Sequence, residues 1–168
     1  MALRLGRAVA LASVTFLASV AWANSARADY GDPGTMEASV QLGFGTNYFA
    51  AGAGFRYFVV QGLAPGIEAS YQKASGLGEG LLMGSLRLAP VALGSVVPVL
   101  TGRAGRVFVS DHASGWAVGG DIGVLVFVSP NVAFEVGYGF LHLLPDSFCA
   151  DLSTCTLTQP VLGLRITF

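Results

Sequence analysis

Charge is scarce in this chain: only 11% of its 168 residues are charged, whereas 53% are hydrophobic. A soluble globular domain usually carries about 25% charged residues, because its surface must be covered by polar groups. Long apolar runs are missing after residue 28, so no later segment could span a membrane as a helix. A chain of this length forms a single domain, for which two interpretations stay open. It is a tightly packed soluble β domain, or a barrel whose apolar face is its outside.

Basic clusters, histidine and cysteine are sparse as well. The absence of a basic patch or stripe argues against binding to nucleic acid. Cys149 and Cys155 lie in a polar stretch with no histidine or third cysteine nearby, so a zinc site is not expected there. In an exported chain the two thiols are expected to form a disulfide, with free thiols as the alternative. The glycine-rich run 76–80 precedes no helix pattern, so it predicts a loop rather than a nucleotide site, and no cofactor is expected.

The N-terminus has the composition of a targeting segment. Arg4 and Arg7 give it a positive start, and an uninterrupted apolar stretch follows over Ala8–Val20. Two small-x-small sites come next, at Ala21-Trp22-Ala23 and Ala26-Arg27-Ala28. This order predicts a secretory signal peptide over residues 1–28, with a mature domain over 29–168. A single N-terminal anchor helix is the alternative. Cleavage would leave six basic and ten acidic residues, a net charge of −4.

From residue 36 onward the hydrophobic period is two, which is typical of β-strands. Segments of about ten residues, long enough for a tilted strand to cross the hydrocarbon layer, alternate with turn residues. Each segment has one apolar face. The eight predicted strands are 36–45, 50–60, 67–74, 81–89, 97–109, 116–128, 132–143 and 157–168.

The opposite face of each predicted strand carries one charge among small or uncharged polar residues. The interior of an eight-stranded barrel is just filled by side chains, so charges there need partners of opposite sign. In the fifth strand Arg103 is placed inside rather than Arg106, because an arginine facing lipid near mid-strand costs about 2–4 kcal/mol. The pattern predicts an all-β, eight-stranded antiparallel up-and-down transmembrane β-barrel with a charge network in its lumen. The predicted network is Glu37, Arg56, Glu68, Arg87, Arg103, Asp121, Glu135 and Arg165.

The C-terminal run Val161–Phe168 has apolar residues at alternate positions and ends in an aromatic residue. It resembles the C-terminal signal of bacterial outer-membrane barrels, which implies that the barrel-assembly machinery recognises Phe168. The stretch from Pro98 to Leu143, with its glycine-rich strands and the turn Ser129-Pro130-Asn131, resembles the small outer-membrane barrel superfamily that includes OmpX and the membrane domain of OmpA. This resemblance implies the outer membrane of a Gram-negative cell, and we expect a monomer. The resemblance says little about the activity of the protein, because one fold can have many functions.

A periplasmic C-terminus would place the loops near 45–50, 75–80, 110–115 and 144–156 outside the cell. Lys73 and Arg106 break the lipid-facing pattern near the extracellular strand ends. They are expected to contact outer-membrane lipid, and one hypothesis is that they bind lipopolysaccharide phosphates. The alternative is that both side chains snorkel to the interface.

One segment resembles a catalytic motif. His112-Ala113-Ser114 has the His-x-Ser spacing of an outer-membrane family of lipid A deacylases, with Glu135 as the nominal third member. Gly115 and Trp116 depart from the asparagine expected after that serine, so catalysis is not expected. The leading hypothesis is a non-enzymatic structural or surface-interaction barrel. The alternatives are a narrow passive pore, a lipid A-modifying enzyme or a soluble secreted ligand carrier.

Overall fold

The computed structural model describes residues 30–45, 48–74, 77–90, 93, 95–109, 114–144 and 155–168. The predicted signal peptide over 1–28 and Cys149 lie outside them. Each strand pairs antiparallel with the next, and the eighth pairs with the first, so the sheet closes into a barrel and the predicted fold class is confirmed. Among these residues there is no helix that is long and apolar enough to cross a membrane. The strands are β1 Met36–Gly45, β2 Tyr48–Tyr57, β3 Leu63–Ala74, β4 Leu77–Leu88, β5 Val96–Val109, β6 Gly115–Ser129, β7 Val132–Leu144 and β8 Thr156–Thr167.

The strands β3 and β4 begin four residues earlier than the sequence predicts, at Leu63 and Leu77. The predicted turn over 61–66 shrinks to a tight reversal around Gly62, whose φ of 73° lies in the left-handed region that favours glycine. Residues with turn propensity, such as Pro65 and Gly78, nevertheless pair with neighbouring strands. Closure of the barrel therefore extends pairing beyond the limits that local propensity sets.

The outer face of the barrel is apolar, as the period of two predicts. Ile122 and Phe134 are 67% and 52% exposed, and almost every large side chain assigned to this face is also exposed. Val126 is an exception: it is predicted to face outward, but it is buried. It lies beside a register shift between Phe127 and Ser129, where the alternation of the two faces is interrupted.

The lumen is filled in layers. We call the end with the tight reversals at Gly62 and Pro130-Asn131 the turn end, and the opposite end the loop end. A turn-end cluster of buried apolar residues comprises Tyr30, Phe58, Ala64, Ala89, Val97, Val99, Leu125, Phe127 and Ala133. A loop-end cluster comprises Leu81, Met83, Val107, Ala117, Leu141 and Leu143. Between these two clusters lie the charged side chains.

Candidate functional site

Eight inward-facing charges form one alternating chain of ion pairs, whereas Glu79 on β4 accepts a hydrogen bond from Gln72 Nε2 at 2.7 Å. Strand alternation sends one of them into the lumen from each strand, and the closed sheet brings all eight together. Each interior member of the chain contacts two side chains of the opposite sign. The order is Asp121, Arg103, Glu68, Arg56, Glu37, Arg87, Glu135 and Arg165.

Arg87 is an interior member of this ion-pair chain and joins Glu37 to Glu135. Its guanidinium lies 3.1 Å from Glu37 Oε2 and 2.8 Å from Glu135 Oε2, and its Nε donates to Thr101 Oγ1 at 3.3 Å. The Arg87, Glu37 and Glu135 side chains are all fully buried. Arg56 Nη1 contacts the other oxygen of Glu37 at 2.6 Å. Two carboxylates therefore neutralise Arg56 and Arg87, as ions that are removed from water require, whereas the buried Arg165 contacts Glu135 alone.

Both ends of the ion-pair chain hold buried atoms without a hydrogen-bond partner among the described residues, and Arg165 Nη1 is such an atom at one end. Arg103 contacts Glu68 at 3.6 Å and also pairs with Asp121. Within the described part of the chain, Arg103 Nε and Asp121 Oδ2 are buried atoms without a hydrogen-bond partner. A spare donor and a spare acceptor thus lie at the loop-end side of the network.

A cavity of about 60 Å³ adjoins this end of the network. Glu68 and Arg103 line it together with uncharged polar side chains, including Gln41, Ser70 and Gln72. The small residues at many inward positions leave this space open, because they do not reach the barrel axis.

Tyr30 is a lumen residue that the strand pattern does not predict. It lies before β1, inserts into the turn end and donates its hydroxyl to Glu37 Oε2 at 2.6 Å. Its ring makes edge contacts with Phe58 and Phe127, both at 5.1 Å between centroids. Burial, and secondarily the Glu37 carboxylate, raise the pKa of the Tyr30 hydroxyl, so it remains a proton donor at physiological pH. The only sequence signal is an aromatic residue next to Gly31, whose positive φ of 92° turns the segment under the barrel.

Lys73 and Arg106 lie on the outside of the barrel. Lys73 is exposed on β3. Arg106 lies over the ring of Trp116, 5.0 Å from its centroid, and donates to Ser114 Oγ at 2.6 Å. This places Arg103 and Arg106 on opposite faces of β5. Their contact with lipopolysaccharide stays a prediction.

Two of the nominal catalytic residues, Ser114 and Glu135, are not brought together. Glu135 is bound to Arg87 and Arg165 in the lumen and is paired with Leu125, which lies 11 residues, or roughly 35 Å of extended chain, after Ser114. His112 lies outside the described residues.

The two other predicted sites lie at opposite ends of the chain. Cys155 packs against the loop-end cluster, whereas its predicted partner Cys149 lies outside the described residues. The disulfide therefore stays a prediction. At the C-terminus, Phe168 exchanges backbone hydrogen bonds with Met36 and leaves its ring exposed on the outer face. Its recognition during assembly also stays a prediction.

No protein-family model and no curated protein matches this sequence. Several solved structures share its fold. The N-terminal β-barrel domain of Pseudomonas aeruginosa OprF is 12% identical with a TM-score of 0.60, covering 81% of this chain and 98% of that one. Neisserial surface protein A is 16% identical with a TM-score of 0.57, covering 80% and 95%. The Yersinia pestis outer membrane protein Ail is 12% identical with a TM-score of 0.54, covering 80% and 99%.

These neighbours confirm the fold of the small outer-membrane barrels that the sequence resembles. Together with the apolar outer face, this shared fold identifies a membrane barrel.

Proposed function

We propose that this protein is an integral outer-membrane barrel with a structural or surface-interaction role, no catalytic activity and a lumen closed to diffusion along its axis. The observation that carries the proposal is the buried ion-pair chain between two apolar clusters. Arg56, Arg87 and Arg165 are fully buried. Water and solutes would have to separate these pairs to pass. Separating a buried ion pair is costly, because it leaves an uncompensated charge.

The outer surface supports the membrane part of the proposal. Exposed Leu, Ile, Val and aromatic side chains cover the wall, and the sheet has no free edge over most of its height. Lipid offers no hydrogen bonds to the backbone, so only helices and closed barrels are stable there. A soluble ligand carrier would have the reverse arrangement, with apolar side chains lining the cavity and polar ones outside.

The membrane surface is where we place the interactions. In the proposed orientation the loop end faces outward, and Lys73 and Arg106 lie near that end. Both cations can pair with lipopolysaccharide phosphates, because a charge-assisted hydrogen bond is strong where water is partly excluded. In the same proposal residues 1–28 direct export, and the assembly machinery recognises Phe168. A disulfide between Cys149 and Cys155 cross-links the last outer loop.

Cell fractionation and planar-bilayer conductance test this function. We expect the protein in the membrane fraction, with a gel mobility that changes on heating, and no steady current in the bilayer. Lys73→Ala, on the outer wall, should behave like the wild type. Arg87→Ala, which interrupts the ion-pair chain, should give transient openings. A steady open current from the wild type would favour the pore, and recovery in the soluble fraction would favour the carrier.

A further inference from the structure

The ladder between β1 and β8 stops short of the loop end. Its residue pairs run from Glu37↔Thr167 to Leu42↔Leu162 and no further among the described residues. Both strands nevertheless continue: β1 reaches Gly45 along β2, and β8 begins at Thr156 along β7. We call the facing stretches 43–45 and 156–161 the seam. No ladder joins its two sides, whereas every other pair of neighbouring strands has a longer ladder.

Pro160 provides the physical reason. Met36 and Phe168 exchange both backbone hydrogen bonds, so the hydrogen-bonded pairs of this ladder fall at every second position from there. Continuation of the register makes Phe44↔Pro160 the next such pair after Leu42↔Leu162. Proline has no N–H to donate, so the ladder ends where the sequence places it.

The cavity lies directly behind the seam. Leu42 and Gly43 line it from the β1 side, and Pro160, Val161 and Leu162 line it from the β8 side. The same cavity reaches Glu68 and Arg103 of the ion-pair chain. Its rim at the wall is therefore apolar, and its inner end is polar.

We propose that the seam is a lateral portal through which the polar head of a single-chain amphiphile enters this cavity from the bilayer, while the alkyl chain stays outside in the lipid. This inference rests on the membrane setting proposed above. A volume of about 60 Å³ holds about four to six water-sized groups, which favours a small head over a bulky one such as a sugar.

The charged and hydrogen-bonding groups of the cavity further restrict the chemistry of the ligand's head group. The acidic and basic side chains at the inner end are paired with each other, so the cavity offers no unmatched charge. Arg103, which lines the cavity, has a spare donor at Nε. The side-chain oxygens of Gln41 and Ser70 in the same lining can accept. A hydroxyl both accepts and donates. The ligand class is therefore a long-chain alcohol.

Photocrosslinking in lipid nanodiscs tests the proposal. The probe is hexadecanol with a diazirine beside its hydroxyl, and the adducts are mapped by mass spectrometry. We expect saturable adducts on Gln41, Ser70 or Gln72 that unlabelled hexadecanol displaces. Adducts confined to outer-wall residues such as Ile122, or lumen adducts that do not saturate, would overturn the proposal.

Two variants and one control sharpen the test. Pro160→Thr restores a backbone donor at the seam, and one or two added hydrogen bonds should lower lumen labelling about tenfold. Ser70→Leu fills the cavity from its inner side and should abolish lumen labelling without altering the seam. Pro65→Thr, at an exposed proline within the β3–β4 ladder, should label like the wild type. Lumen labelling that Pro160→Thr and Ser70→Leu both leave unchanged contradicts the portal.

The same samples separate the two proposals. Heat-dependent gel mobility shows whether the barrel has folded in lipid. A folded barrel without lumen adducts contradicts the portal alone. A wild-type chain that does not fold into lipid contradicts the membrane function and the portal together.

Discussion

Each of the eight side chains in the ion-pair chain contacts at least one side chain of opposite sign. Arg87 contacts two carboxylates, and Glu37 contacts two arginines as well as the Tyr30 hydroxyl. Removing one partner leaves the others buried and uncompensated. Individual residues of the network therefore have larger effects on stability than residues on the outer wall.

Replacement of Arg87 by methionine keeps most of the side-chain length but removes the charge between Glu37 and Glu135. We expect a loss of about 3–5 kcal/mol in the free energy of unfolding, because breaking a buried ion pair leaves unpaired carboxylates. Urea unfolding in lipid vesicles, followed by gel mobility, measures the change. Lys73→Met is the control and should shift stability by about 0.5 kcal/mol or less. Equal effects of the two substitutions would mean that the network does not stabilise the barrel.

Lys73 and Arg106 allow a second prediction at this scale. If both bind lipopolysaccharide phosphates, Lys73→Ala and Arg106→Ala should each lower the lipopolysaccharide that co-purifies with the barrel. The ratio of bound lipid to protein measures the effect. Arg106→Lys keeps the charge but loses the planar guanidinium that covers Trp116, so it should retain part of the binding. An unchanged ratio in both alanine variants would leave snorkelling as the role of these side chains.

The face on which each lumen charge lies could be predicted from the sequence, because the period of two assigns every residue to one side of its strand. Arg103 and Arg106 illustrate this, since the cost of a mid-strand charge in lipid decides between them. The contacts within the network could not be predicted. They depend on how strands far apart in sequence meet across the lumen: Arg87 contacts Glu37, 50 residues away.

The segment before β1 is an element that the strand pattern misses. Residues 30–35 fold under the turn end, where Gly34 N donates to Phe58 O at 2.8 Å and Gly62 N donates to Gly31 O at 2.7 Å. These bonds hold Tyr30 in the lumen. Asp, Gly and Pro dominate this segment and indicate only a polar start of the mature chain, so its docking could not be predicted.

Two substitutions of Tyr30 test this docking. Tyr30→Phe removes only the hydroxyl, and we expect a loss of about 1.5–3 kcal/mol, as for a hydrogen bond to a charged group. Tyr30→Ala also removes the ring between Phe58 and Phe127 and should cost about 3–5 kcal/mol. Urea unfolding of the two variants gives both values. If Tyr30→Ala unfolds at the wild-type urea concentration, the segment does not stabilise the barrel.

The close approach of β4 to β5 at Gly105 leads to a further prediction. A Cβ added at Gly105 would overlap the carbonyl oxygen of Leu82 and lie 2.6 Å from Met83 Cα. Gly105→Ala should therefore cost about 1–3 kcal/mol, as overpacking does. Gly102 on the same strand has no atom within 4 Å of such a Cβ, so Gly102→Ala is the matched control. Comparison of their unfolding midpoints decides, and equal midpoints would contradict the close contact.

The existence and type of all eight strands could be predicted, whereas several of their ends could not. Gly78 and Pro65 have turn propensity, yet both lie in strands because a partner strand extends alongside them. Pro160 ends a ladder without ending its strand, and only the register with β1 shows this. Local propensity thus located the strands but not the extent of pairing between them.

At the scale of the whole molecule, the barrel is apolar outside and layered inside. Two apolar clusters enclose the charged chain, and the cavity beside it adjoins the seam between β1 and β8. This arrangement is the basis for proposing a closed membrane barrel with interactions at its surface. Its central claim is that Ile122 and its outward neighbours contact acyl chains while the side chains between them fill the lumen.

Nuclear Overhauser measurements in nanodiscs test that claim most directly. In a deuterated protein with protonated Ile, Leu and Val methyl groups, we expect cross-peaks from lipid acyl chains to Ile122 and Leu86. Leu125, three residues from Ile122 on β6, is fully buried in the turn-end cluster and should give none. Strong acyl cross-peaks to Leu125 together with none to Ile122 would contradict the account.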